Sequence, residues 1–318
     1  MPTEATNLTA LLYNATLERL ERLRLQSRTR RTNRGRGEHL ASKGGTSIEF
    51  HDYRDYAPGD DTRFVDWNLF ARLHRPYLKQ FRREEERHIV ALLDTSRSMD
   101  FEGKFALAQR LAAACAVLAL HNLEPFSLYA SNRWPERSAH GQAETTEGAD
   151  DKPARAADHL GPLRGRVSLR RALRFVEGLA PAGAVRLETA VDSLLRRHRG
   201  RGIVLLISDF LTPTDLSRAF NGLYAAGLEV WGLQILAPSE IDPAIRGDLR
   251  LLDAETGETL DVSGAAGLLS IYQEQRADRE ERLRDACTRS GGRFLSVSAD
   301  APLEWLLFDL LRRQGWLA

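Results

Sequence analysis

Two apolar runs constrain the fold of this 318-residue chain more than anything else in it. His88-Ile-Val-Ala-Leu-Leu-Asp94 and Gly202-Ile-Val-Leu-Leu-Ile-Ser-Asp209 are almost unbroken in apolar residues over strand length, and each ends on an aspartate. A strand with one face in water alternates apolar and polar residues, so a continuous run implies burial on both faces. Helical spacing occupies Lys104 to Leu120, Leu169 to Leu179, Leu187 to Arg197 and Asp215 to Ala226, with further strands expected at Phe126 to Ala130, Leu228 to Leu236 and Arg293 to Val297. This alternation predicts an α/β fold: a doubly wound, mostly parallel sheet of Rossmann type, covered by helices on both sides.

The core does not begin at the amino terminus. Residues 1–37 read as an amphipathic helix, from Leu8, Leu11, Leu12, Ala15, Leu20 and Leu23, followed by a basic linker, Arg28 to Arg36, without apolar period. Residues 38–86 are dense in Asp, Arg and aromatics around a Pro58-Gly59 turn, and form a strand-rich extension with one strand at Tyr77 to Phe81. Residues 87–236 form the α/β core, and 237–290 an insertion. The insertion is a small β-hairpin, Leu249 to Val262 turning near Glu255 to Gly257, and a long polar helix, Leu268 to Arg289. Residues 291–318 return the last strand and a closing helix, Leu303 to Arg313. Residues 132–165, rich in Gly, Ala, Pro and mixed charge, read as a long loop.

Composition removes several function classes. A net charge of +1 argues against a polyanion-binding protein, and the basic linker lacks the interleaved aromatics that stack on bases, so no nucleic-acid partner is expected. The longest apolar run, Leu111 to Leu120, is shorter than a bilayer span, so no transmembrane segment is expected. The two cysteines, Cys115 and Cys287, offer no disulfide framework, and a cytoplasmic location is expected. All but four basic residues (Lys43, Lys79, Lys104 and Lys152) are arginine, whose planar forks suit pairing with carboxylates.

Ligands of open parallel sheets bind outside the carboxyl ends of the strands, where strand order reverses. Asp94, Ser96 and Ser98 stand at alternate positions after the first apolar run, and Asp209 ends the second. Two carboxylates and two hydroxyls form an oxygen-only set suited to Mg²⁺, with a position open to a carboxylate from another protein. In the alternative, Ser98 caps the following helix and Asp94 accepts loop amides. The run Arg54 to Trp67 holds Arg54 and Arg63 beside Asp55, Asp60, Asp61 and Asp66, a set able to form an ion-pair network fixing this segment against the core, with Trp67 buried beneath it. The phosphate loop, His-Glu-x-x-His and Gly-x-Ser-x-Gly patterns do not occur.

Asp94-x-Ser96-x-Ser98 between a buried strand and a helix resembles the metal-ion-dependent adhesion site of von Willebrand factor A domains, which implies binding of partner proteins. That family draws a further Thr ligand from a Gly-x-Thr-x-Leu pattern. Here Gly183 to Leu187 places Val185 at that position, and Thr189 lies one turn later. The motif Arg54, Tyr56, Pro58, Gly59, Asp60, Arg63, Asp66, Trp67, with Asp94-x-Ser-x-Ser-Met99 and Asp253 to Glu258, resembles the bacterial domain of unknown function 58 family. That resemblance implies a von Willebrand A-like core. It also implies a non-catalytic accessory role beside a MoxR-type AAA+ ATPase and other von Willebrand A proteins in protein assembly or activation. Two competing functions follow from the residues themselves: a metal-dependent hydrolase using Asp94 and Asp209 with the Asp60 and Asp61 turn, and nucleic-acid binding through Arg28 to Arg36.

Overall fold

The computed structural model describes residues 9–27, 48–83, 86–131, 159–182, 186–212, 214–243, 249–252, 259–262 and 268–318. The chain forms two compact units, one of residues 1–30 with 87–318 and a second of 31–86.

The larger unit is built on a six-stranded sheet in the order β10-β7-β6-β3-β4-β5. Its strands are β3 (His88–Leu93), β4 (Phe126–Ala130), β5 (His159–Leu163), β6 (Gly202–Ser208), β7 (Leu228–Leu236) and β10 (Arg293–Ser298). All pair in parallel except β5, which closes one edge antiparallel to β4. From β3 the chain first winds outward through β4 and β5, then returns to β6 and winds the other way through β7 and β10, so strand order reverses between β3 and β6.

Alternation along each strand divides the apolar runs between two cores. Ile89, Ala91 and Leu93 of β3, Ile203, Leu205 and Ile207 of β6, and Trp231, Leu233 and Ile235 of β7 pack on one face. There they meet α3 (Lys104–His121), α4 (Leu169–Glu177) and the carboxyl-terminal helical run 303–313. Val90, Leu92, Val204, Leu206, Leu228 and Val230 pack on the other face against α5 (Leu187–Arg197), α6 (Ser217–Ala225) and α8 (Leu268–Arg289). This is why the runs are apolar at most positions. At the carboxyl-terminal edge, Gly292 lies so close to β7 that a Cβ there would fall 1.7 Å from the Val230 carbonyl oxygen.

The first helix is shorter than its apolar spacing predicts. Among the described residues of this region only α1 (Asn14–Leu20) is helical, yet Leu12, Leu17, Leu20 and Leu25 all enter the first core, and Arg24 exchanges backbone hydrogen bonds with Ala318. The basic linker lies outside the described residues. The region 132–165 is not wholly a loop: β5 occupies His159–Leu163, hidden from sequence reasoning because it is a five-residue edge strand broken by Gly161 and Pro162. Helix α3, at 18 residues, is long and apolar enough by length and composition to cross a membrane, with 78% of it buried inside the fold. The ten-residue run in the sequence understated it because Ala108, Leu107 and Phe105 extend the buried face toward its start.

The smaller unit holds β1 (Ile48–Asp55) antiparallel to β2 (Tyr77–Arg83), joined through a 3-10 turn at Thr62–Phe64 and α2 (Trp67–Leu73). The expected hairpin in 249–262 forms as β8 (Leu249–Leu252) paired with β9 (Thr259–Val262), and α7 (Pro238–Ile241) follows β7.

Candidate functional site at the strand-order switch point

The carboxyl ends of three adjacent strands converge on Asp94. Its Oδ1 accepts the Ser96 backbone N–H at 2.9 Å and the Ser131 hydroxyl at 3.0 Å, and its Oδ2 accepts the Ser208 hydroxyl at 2.6 Å. Ser131 follows β4 and Ser208 ends β6, so neighbouring strands supply the donors that the β3 carboxylate needs. Burial first, and the nearby Asp209 charge second, push the Asp94 carboxyl above its ordinary value, against the hydrogen bonds that favour its charged form. Ser96 is buried and Ser98 half-buried, and their hydroxyls lie 3.0 Å apart. Ser98 therefore does not cap α3, whose N-cap is Gly103.

Asp209 is tied to a lysine. The Lys104 ammonium, 1% exposed at the first position of α3, donates to Asp209 Oδ2 at 2.9 Å and to Glu240 Oε1 at 2.7 Å. Asp209 Oδ1 accepts the Leu211 N–H at 3.0 Å, and Gln234 Nε2 donates to the Asp209 carbonyl at 2.9 Å. Burial alone would lower the lysine pKa. The Asp209 and Glu240 carboxylates more than reverse it, and the pKa lies above the ordinary value. Phe210, next in sequence, is buried with φ +53°, a conformation bulky residues rarely adopt. It is held by Ser208 Oγ accepting its N–H at 2.9 Å and by Arg279 donating to the Thr212 carbonyl two residues on.

Ser131, Ser208, Lys104 and Glu240 were not anticipated as site residues. One signal for Lys104 was available: it is one of only four lysines, standing at the start of an apolar helix. The Mg²⁺ expected here does not suit this donor set. Every carboxylate oxygen of Asp94 and Asp209 already accepts a donor, and one of those donors is a buried ammonium. Val185, at the Thr position, lies outside the described residues, and its side chain has no ligating atom. Thr189 is exposed on α5. Among the described residues no group of three or more His, Cys, Asp or Glu side chains is arranged to hold a metal.

In the smaller unit the family-motif residues build their own turn. Arg54 grips Asp60 bidentately at 2.7 and 2.6 Å, and Asp60 Oδ2 also accepts the Ala57 N–H, closing the loop that carries Tyr56, Pro58 and Gly59. Gly59 has φ +104°, which the turn requires of a glycine. Arg63 pairs with Asp61 at 2.6 Å. Asp66 caps α2, accepting the N–H groups of Asn68 and Leu69, and takes the Tyr53 hydroxyl at 2.9 Å and the Lys79 ammonium at 3.1 Å. These bonds, the α2 amides foremost, bring its pKa down to about 2. Trp67 is not buried beneath this network: it is 62% exposed, edge-on to Phe70 at 6.0 Å, because as the first residue of α2 it projects away from the cap.

Sheet order, the antiparallel edge strand and the Asp-x-Ser-x-Ser loop at the switch point define a von Willebrand A-like α/β domain. The chain belongs to the family described as "Protein of unknown function DUF58", whose sequence pattern matches residues 52–138 and 151–282. It is 32% identical over 290 residues to the uncharacterized proteins Mb1516 of Mycobacterium bovis and Rv1480 of Mycobacterium tuberculosis, covering 89% of this chain and 85% of each relative. Among solved structures it is similar to the conserved hypothetical protein BatB of Bacteroides thetaiotaomicron (13% identity, 67% of this chain and 90% of that one, TM-score 0.38). An aerotolerance-related membrane protein of Bacteroides fragilis is similar to the same degree (14% identity, 66% and 91%, TM-score 0.38). The cytoplasmic expectation is corrected on this point, since two of the similar structures, from Bacteroides fragilis and Vibrio fischeri, are named as membrane proteins. A helix-covered sheet folds alike whether free or tethered, so charge balance and cysteine usage did not fix the compartment.

Proposed function

We propose that the chain is a non-catalytic protein-interaction module whose binding face is formed by the loops at the carboxyl ends of β3 and β6, and that its partner is a MoxR-type AAA+ ATPase. The observation that carries the reading is the contrast within those loops. Their floor is a polar network in which every carboxylate oxygen of Asp94 and Asp209 accepts a donor, while Phe101 and Leu211 are 47% and 44% exposed in the two loops. Exposed apolar side chains beside a hydrogen-bonded polar floor suit a partner protein's surface. The choice of ATPase rests on the family resemblance in the sequence.

The test is titration of the full-length chain with a purified MoxR-type ATPase, for the native sequence and for Phe101→Asp and Leu211→Asp. Saturable binding weakened at least about tenfold by either change is the expected result. Undiminished binding by both variants would remove this face from the interaction, and no binding by the native chain would remove the ATPase.

A further inference from the structure

We propose that Lys104 is the resident cation of this site: its ammonium does the work that a divalent ion does at an adhesion site, so the face is assembled without metal. The inference deepens the proposed function by naming how the face is held. Its test uses no partner protein, so its failure and the failure of the interaction reading are distinguishable.

A bound divalent ion would have two structural tasks here, to neutralise carboxylates gathered at the strand ends and to knit together the loops that carry them. The ammonium performs both. It lies within 2.9 Å of Asp209 and 2.7 Å of Glu240, so two carboxylates share one covalently supplied positive charge. It joins three segments: the start of α3, the loop after β6, and α7. Glu240 passes the constraint on, since its Oε2 accepts the Ala237 N–H at 2.7 Å and its carbonyl accepts the Tyr272 hydroxyl of α8 at 2.6 Å. The Phe101 ring lies 5.8 Å from the ammonium, within range of a cation–π attraction.

The remaining oxygens need no ion either. Asp94 receives two hydroxyls and a backbone amide, and Ser96 and Ser98 bond one another. An ion placed at the two serines would meet the charge of Lys104 and would have to compete for Asp209 with a lysine that cannot diffuse away. A compact, fully buried ammonium of this kind is a point charge with three donors, which suits bridging separate carboxylates better than a planar guanidinium would. That accounts for a lysine at this position in a chain that otherwise uses arginine almost throughout.

The experiment is Mn²⁺ and Mg²⁺ titration of the full-length chain by calorimetry and by thermal unfolding, repeated with Lys104→Met, which keeps length and removes charge. The native chain is expected to give no saturable heat and no midpoint rise with millimolar metal. Lys104→Met is expected to bind Mn²⁺ at least about tenfold more tightly than the native chain and to gain thermal stability with it. Saturable binding by the native chain that disappears in Asp94→Ala would overturn the proposal, as would a folded Lys104→Met that ignores Mn²⁺. If Lys104→Met does not fold, the native and Asp94→Ala titrations decide on their own.

Discussion

Asp94 takes a hydroxyl from Ser208, 114 residues along the chain, and Lys104 reaches Asp209 across 105, whereas the carboxylates of the 54–67 turn find their partners within thirteen residues. The first set is buried, shares donors among three strand ends and exists only once the sheet has formed. The second is a local turn whose Arg54, Arg63 and Asp61 side chains reach water, whose Asp66 is buried, and whose Trp67 and Phe70 face outward. The two regions are equally conspicuous as sequence motifs. Physically, one is a tertiary network and the other is local chemistry, and perturbing them has different consequences.

The largest effect is expected at Lys104. Lys104→Met leaves Asp209 without its buried counter-charge, and urea denaturation is expected to show a loss of about 3–5 kcal/mol. Ser208→Ala comes next. It removes the donor to Asp94 Oδ2 and the acceptor for the Phe210 N–H, with an expected cost of about 1–3 kcal/mol in the same assay.

Acid and alkali then separate the regions by sign. Asp66, depressed to about 2 against an ordinary 3.8, supports the turn fully above the ordinary value, and that support is lost as pH falls through about 2. The fluorescence of Trp67, beside the cap, is expected to change in that window and to lose this transition in Asp66→Asn. Asp94 is shifted the other way: its contribution is present below the ordinary carboxyl value and is lost as pH rises through its raised one. Asp94→Asn is expected to flatten that part of the stability–pH curve, measured by denaturant midpoints across pH. The smallest effect is expected at Arg54→Ala, a partly exposed pair whose loss should leave the global midpoint within error while loosening the Ala57 to Asp60 loop in amide exchange.

Elements with strong periodicity were legible at once. The bounds of β7 and α5 follow from apolar spacing, and the long polar α8 ends at the breaker Gly291-Gly292. Edge strand β5 was hidden by its glycine and proline, and the first helix was overread because Leu11 and Leu12, at helical spacing, reach the core from irregular chain. At the site, Asp94, Ser96, Ser98 and Asp209 announce themselves by position after apolar strands. Lys104 and Glu240 do not, since their meeting depends on α3 and α7 packing against the same strand end. Burial of Trp67 was expected from residue type, and the start of a capped helix overrides that preference.

What neutralises Asp209 is tested most directly by anomalous diffraction from crystals of the chain grown in Mn²⁺. The expected map has no manganese peak between Ser96, Ser98 and Asp94, and has the Lys104 ammonium in hydrogen-bond contact with both Asp209 and Glu240. A manganese peak ligated by the two serines, with Lys104 turned away from Asp209, would contradict it.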